Sequence, residues 1–171
     1  MGSDILAQSK SGMGKTAIYI LAILNQMDSK PAPDAGLLAI ILTHTHELAF
    51  QVSKEFARLG KYLPSITSEL IHGGTGVDAQ KKILKEKNPH IIIGTPGRVA
   101  NLAKFKTIDL SKVKYFVIDE CDKMLEELDM REDIQYVFCC SPKEKQVMLL
   151  SATLPKEYRE IGRKFLRPVF S

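Results

Sequence analysis

The sequence predicts an α/β fold, one domain with a parallel β-sheet sandwiched by helices. Three observations carry this. Short apolar runs alternate along the whole chain with longer stretches of helical periodicity. The runs are continuously aliphatic, as in parallel strands buried on both faces. Each ends in a suggestive sequence, at the carboxyl ends where open α/β sheets bind their ligands. Such alternation builds βαβ units with a covered parallel sheet.

In chain order, residues 4–8 read as a short, truncated strand and 15–27 as the first helix. Pro31, Pro33 and Gly36 break the chain before the second strand, 37–42 (LLAIIL). The helix over 46–60 follows, with Leu48, Val52, Phe56 and Leu59 on one stripe and Gly60 at its end. Strand 68–71 precedes helix 77–87, whose lysine-dense 81–87 stretch reads as a solvated face. Strand 90–93 (HIII) leads to helix 97–104, strand 115–118 (YFVI) to helix 123–138, and strand 146–150 (QVMLL) to helix 156–165. There are no repeats, no low-complexity tract and no sign of a second domain within residues 1–171.

Composition narrows the function classes. A hydrophobic fraction of 44% and a charged fraction of 26% are those of an ordinary globular domain. No apolar run approaches the ~20 residues of a membrane span. The net charge of +4 is compatible with a polyanionic partner, but the basic residues are scattered. Cys121, Cys139 and Cys140 form no CxxC pair, so a zinc site is not expected and a reducing compartment is. Met1-Gly2-Ser3 has the look of a fusion scar, from which the chain is expected to begin inside a longer protein.

The first strand runs into Ser9-Lys10-Ser11-Gly12-Met13-Gly14-Lys15-Thr16, and a helix opens at once. Glycines let backbone N–H groups turn inward around phosphate oxygens, and the helix points its positive end at the same place. Lys15 adds a charge for the β- and γ-phosphates, and the Thr16 hydroxyl can ligate Mg²⁺. Ser9 stands where the usual pattern has glycine. The bland alternative is a glycine-rich turn without function.

The strand at 115–118 delivers Asp119-Glu120-Cys121-Asp122. Beside a phosphate loop, Asp119 would hold Mg²⁺ and Glu120 would orient and deprotonate the attacking water. Taken alone, Asp119 or Asp122 serves equally as an N-cap for the helix that follows.

Five ordered motifs resemble the DEAD-box RNA helicases. They are Gly12-Met13-Gly14-Lys15-Thr16, the Gly73-Gly74 pair, Thr95-Pro96-Gly97-Arg98, Asp119-Glu120-Cys121-Asp122 and Ser151-Ala152-Thr153. With Cys121 in place of the commoner alanine, the chain is most similar to the DECD-type spliceosome and mRNA-export helicases. The resemblance implies a single RecA-like P-loop NTPase domain, the first of two in the family. The family's upstream glutamine motif and its second RecA-like domain are expected outside this sequence. ATP and Mg²⁺ are the implied cofactors, with Ser9 to Thr16 as the nucleotide loop and Thr16 and Asp119 as metal ligands. Glu120, Asp119, Lys15, Ser151 and Thr153 form the implied catalytic set. Ser151 and Thr153 are similar to the link between hydrolysis and RNA release, and Asp122 is expected to hydrogen-bond within it.

Thr45, His46, Gly73, Gly74, Thr95, Pro96, Gly97 and Arg98 match the elements that hold RNA by its sugar-phosphate backbone. Amides, hydroxyls and one arginine at helix starts suit phosphate contact without base readout. The family has arginine where His46 stands, so local packing and RNA contact remain equal readings for His46, whereas His44 and His72 are expected to be structural. Further expectations are a nuclear location, with the cytoplasm as an additional one, partners in splicing and export, and no membrane. Without the second domain's arginine fingers the chain alone is expected to be nearly inactive, by a factor of ~10³ or more. The competing readings are a RecA-like scaffold with decayed catalysis and a P-loop NTPase of another class.

Overall fold

The computed structural model describes residues 2–10, 12–74, 76–153 and 155–166. Its strands are β1 (Ile5–Gln8), β2 (Ala39–Thr43), β3 (Ser68–Ile71), β4 (Ile91–Gly94), β5 (Tyr115–Asp119) and β6 (Gln146–Ser151). Its helices are α1 (Lys15–Gln26), α2 (His46–Leu59), α3 (Val77–Lys87), α4 (Pro96–Lys104), α5 (Cys121–Glu126), α6 (Leu128–Cys140) and α7 (Lys156–Arg163). The six strands form one sheet in the order β1-β6-β5-β2-β4-β3, and every pairing is parallel.

Both faces of the sheet are buried, which explains the unbroken aliphatic runs. Within β2, Ala39 and Ile41 pack with Tyr19, Ile20 and Ile23 of α1 and Val52 and Phe56 of α2. Ile40 and Leu42 point the other way, into a core with Leu84, Val99, Leu102, Met124, Ile134 and Val137 from α3 to α6. The predicted sandwich is the observed one. Among the described residues, no helix is long and apolar enough to cross a membrane.

Two local expectations need correction. The predicted helix 123–138 is two helices, because Glu127 is extended (φ −82°, ψ 120°). Met124 and Leu125 are buried in the core, whereas Leu128 is 64% exposed. The chain re-aims at Glu127 so that α6 lies along α4 while α5 packs on α7 and β6. Neither glycine nor proline marks that break. The second correction is systematic: β2, β4, β5 and β6 each run one residue past their predicted ends, to Thr43, Gly94, Asp119 and Ser151.

The topology positions the site. β6 and β5 lie between β1 and β2, so the carboxyl ends of β1, β6, β5 and β2 stand in a row. Gln8 lies opposite Ser151, and Asp119 lies opposite Thr43. Gly94 closes the other end, where a Cβ would come within 2.4 Å of the Ile71 carbonyl oxygen. Only glycine lets β4 approach β3 there.

Candidate active site

The loop after β1 turns on two glycines. Gly12 and Gly14 both have φ +79° and no heavy atom near a built Cβ, so they are needed for the left-handed backbone rather than for space. The Lys15 ammonium donates to the Ser9 carbonyl and, at 3.0 Å, to that of Lys10, folding back over the loop. Ser11, one of the predicted loop residues, lies outside the described residues. Gly14 caps α1 without a side-chain bond, and the first turn of α1 carries no acid. Among the described α-helices only α4 shares this, starting from Thr95 with Pro96 in its first turn. A carboxylate stands in the first turn of each of the other five. Two helix starts are thus left with unscreened N–H groups suited to an anion.

Asp119 is the centre of the half beside the glycine loop. It is 3% exposed. Its Oδ2 accepts from the Tyr19 hydroxyl at 3.0 Å and from Thr16 Oγ1 at 3.4 Å, and its Oδ1 accepts from the Glu120 amide at 3.0 Å. Burial raises its carboxyl above the ordinary carboxylate value, and these donors oppose the rise without cancelling it. Burial, reinforced by the Asp119 charge, pushes the Tyr19 phenol far above its usual value, so it stays a donor. The loop and the acidic strand end therefore converge, as the sequence requires.

Glu120 sits at φ 55°, ψ 48°, a left-handed conformation that is unusual for a side chain of this kind. Its Oε2 lies 2.8 Å from Lys123 Nζ and 3.0 Å from His44 Nδ1. A cavity of about 430 Å³ opens between the loop residues Gly12, Gly14, Lys15 and Thr16, the acids Asp119 and Glu120, and Leu48, Gln51 and Glu55 of α2.

Behind it, Thr153 Oγ1 donates to Asp122 Oδ2 at 2.8 Å, and the Ser151 hydroxyl donates to the Thr153 carbonyl. Burial works against the Asp122 charge, but the donors around it, among them Thr153 and the backbone amides of Asp122 and Lys123, outweigh it and hold the carboxyl below its usual range. Ser151 is fully buried, so it acts on its neighbours rather than on a ligand. Burial, then the charges of Asp122 and Asp119, pushes the Cys121 thiol up to about 12. Cys121 is a packing residue, not a nucleophile.

The second half follows β2, β4 and β3. Thr45 caps α2 by accepting the Leu48 amide at 3.2 Å. The His46 and His72 rings lie 4.0 Å apart, centroid to centroid. Arg98 donates to the carbonyls of His72 at 3.1 Å and Gly73 at 3.4 Å, which brings α4 to the Gly73-Gly74 turn. Burial, then the charges of His46 and Arg98, hold His72 below the usual histidine value. A Cβ at Gly97 would come within 3.2 Å of the Asp133 carboxylate, which would have to give by a few tenths of an ångström. Pro96 is buried, so its contribution is to start α4 rather than to touch a ligand.

Sequence reasoning missed two residues. Tyr19 follows Thr16 by one helical turn, but its apolar ring reads as core and hides the hydroxyl's contact with Asp119. His44, expected to be structural, approaches Glu120 instead, and only the sheet order reveals that. The donor set suits Mg²⁺. One buried carboxylate and one hydroxyl are what Mg²⁺ takes from a protein when phosphates and water complete its shell. Among the described residues, no group of three His, Cys, Asp or Glu could hold a metal unaided.

The family model for DEAD/DEAH box helicase matches residues 1–161. The human ATP-dependent RNA helicase DDX39A is 46% identical over 167 residues, 98% of this chain and 38% of that protein. The solved structure of S. cerevisiae Dbp5 bound to RNA and ADP BeF3 aligns with a TM-score of 0.83 at 34% identity, covering 96% of this chain and 40% of that one. A DEAD box protein from the hyperthermophile Methanococcus jannaschii aligns with a TM-score of 0.82 at 33% identity, covering 96% and 43%. The chain spans about two fifths of the length of these relatives.

Proposed function

Because the chain belongs to the DEAD/DEAH box helicase family, we propose that it is the ATP-binding lobe of an ATP-dependent RNA helicase. The observation that carries this reading is the contact of Thr16 and Tyr19 with the buried Asp119, beside the folded-back Lys15. The loop amides and Lys15 hold the triphosphate. Thr16 and Asp119 hold Mg²⁺, which neutralises phosphate charge when bound. Glu120 takes the proton of the attacking water. Asp122, two residues after Glu120, is tied by Thr153 and Ser151 to the end of β6.

RNA lies along the other half of the edge, on the starts of α2 and α4 and the Gly73-Gly74 turn. Thr45, His46, Thr95, Gly97 and Arg98 give contacts to phosphate and sugar. Dbp5, a neighbour of known structure, is bound to RNA and ADP BeF3. In the whole protein a second RecA-like lobe completes both sites, and closure on ATP grips RNA until hydrolysis releases it. The finer reading is a nuclear helicase of pre-mRNA splicing and mRNA export, supported by the DECD-type resemblance. Imaging of the tagged protein and crosslinking to spliced transcripts test it.

The test of the ATPase uses the protein with both lobes. Glu120→Gln is expected to lower RNA-stimulated hydrolysis by about 10²- to 10⁴-fold while ATP binding is kept. Equal hydrolysis in the variant, or hydrolysis indifferent to RNA, would sink the reading in favour of a scaffold or another NTPase class.

A further inference from the structure

Glu120 is held by two side chains from opposite directions. Lys123 comes from its own helix, α5, and half exposed it reaches Oε2 at 2.8 Å. His44 comes from the β2–α2 connection, 3.0 Å from the same oxygen. Its Nδ1 is buried from solvent and lacks a well-aligned hydrogen bond. A buried ring N–H is costly to leave unmade, and Glu120 is the acceptor in reach. Both contacts fall on Oε2, which leaves Oε1 for the cavity.

The position of His44 in the chain matters as much as its contact. Thr43, before it, ends β2, and its hydroxyl donates to the Thr45 carbonyl at 3.0 Å. Thr45, after it, caps α2, and His46 stacks on His72 beside the turn that Arg98 binds. One short segment thus carries a side chain on the proposed hydrolytic carboxylate and, in the next two residues, the proposed RNA-backbone contacts.

We propose that His44 is a positioning residue that couples RNA contact to ATP hydrolysis, by donating Nδ1–H to Glu120 and fixing which carboxylate oxygen faces the attacking water. This rests on the ATPase reading above. RNA drawn onto Thr45 and His46 sets the connection, the connection sets the ring, and the ring aligns Glu120. An ångström of misplacement at a reacting group lowers the rate by about 100-fold, so a small shift of the ring is enough.

The experiment measures ATP hydrolysis with and without single-stranded RNA in the two-lobed protein. His44→Ala should lower RNA-stimulated kcat by about 10- to 100-fold with KM for ATP and RNA affinity unchanged. His44→Asn, whose amide nitrogen falls near the place of Nδ1, should restore most of the stimulation. Lys123→Ala removes the other partner of Oε2 from a helix outside the RNA half; it should lower kcat while leaving the ratio of stimulated to basal rate intact. Full stimulation in His44→Ala, or an equal loss of that ratio in Lys123→Ala, overturns the coupling. If His44→Ala does not fold, His44→Leu fills the volume without a donor and carries the same outcomes. A ring-¹⁵N spectrum of this chain should show the proton on Nδ1; a bare Nδ1 overturns the proposal. Glu120→Gln separates the levels: if it leaves hydrolysis unchanged the ATPase reading falls, and if it abolishes hydrolysis while His44→Ala does not, only the coupling falls.

Discussion

The two halves of the carboxyl edge are built differently, although one sheet supports both. The β1, β6 and β5 half is wired by side chains across long sequence separations: Tyr19 and Thr16 reach Asp119, and Thr153 reaches Asp122. Its central carboxylate is buried, and burial raises it above the ordinary carboxylate value despite its three donors. The β2, β4 and β3 half is held by backbone: Arg98 on two carbonyls, a threonine cap, and two stacked imidazoles. Preorganisation costs stability in the first half and little in the second. That suits a metal-triphosphate of fixed geometry in one and a flexible polyanion in the other.

Single substitutions should therefore separate the halves cleanly. Lys15→Ala is expected to weaken ATP binding about 100-fold, the scale of a lost charge-assisted hydrogen bond to phosphate, with RNA binding unaffected. Calorimetry with nucleotide checks this, and unchanged affinity would break the comparison at its strongest point. Arg98→Ala should do the converse and lose about 10-fold in RNA affinity. Because the contact is to backbone phosphate, the loss should be uniform across sequences and should reduce the salt slope by about 1. Fluorescence anisotropy at several salt concentrations reads both. A sequence-dependent loss would mean that Arg98 reads bases.

Much of this was legible beforehand for a physical reason. Aliphatic runs reveal strands buried on both faces, and the glycine-lysine-threonine turn and the paired acids are spelled in consecutive residues. Strand ends were less legible. Thr43, Gly94, Asp119 and Ser151 are the last residues of their strands, yet apolar patterning stops one residue earlier, because a strand that serves a site ends on a polar or small residue. The break at Glu127 was invisible because tertiary packing, not local propensity, sets it. Tyr19 looks in sequence like one more core residue of α1, since its ring is buried and only its hydroxyl acts. His44 owes its contact to β5 lying beside β2, a neighbour relation between residues far apart in the chain.

The smallest effect tests the claim that the nucleotide half carries a cost. The Asp119 carboxyl has a folded-state pKa above its ordinary value, burial being the cause. The unfolded chain titrates near 3.9, so as pH falls the folded protein takes up this proton first. At neutral pH the buried charge destabilises the fold, and the penalty fades as pH drops through the folded value. Asp119→Asn removes the charge and keeps an acceptor for Tyr19 and Thr16, at the cost of the one that Oδ1 gives the Glu120 amide. It should raise stability at pH 7, read as a higher Tm than that of the native chain. The gain should shrink toward zero near pH 4, while ATP binding in Mg²⁺ is lost. Arg98→Ala should show no such gain. If Asp119→Asn is instead less stable at pH 7, the bonds from Tyr19, Thr16 and the Glu120 amide outweigh burial, and the two halves differ in wiring but not in strain.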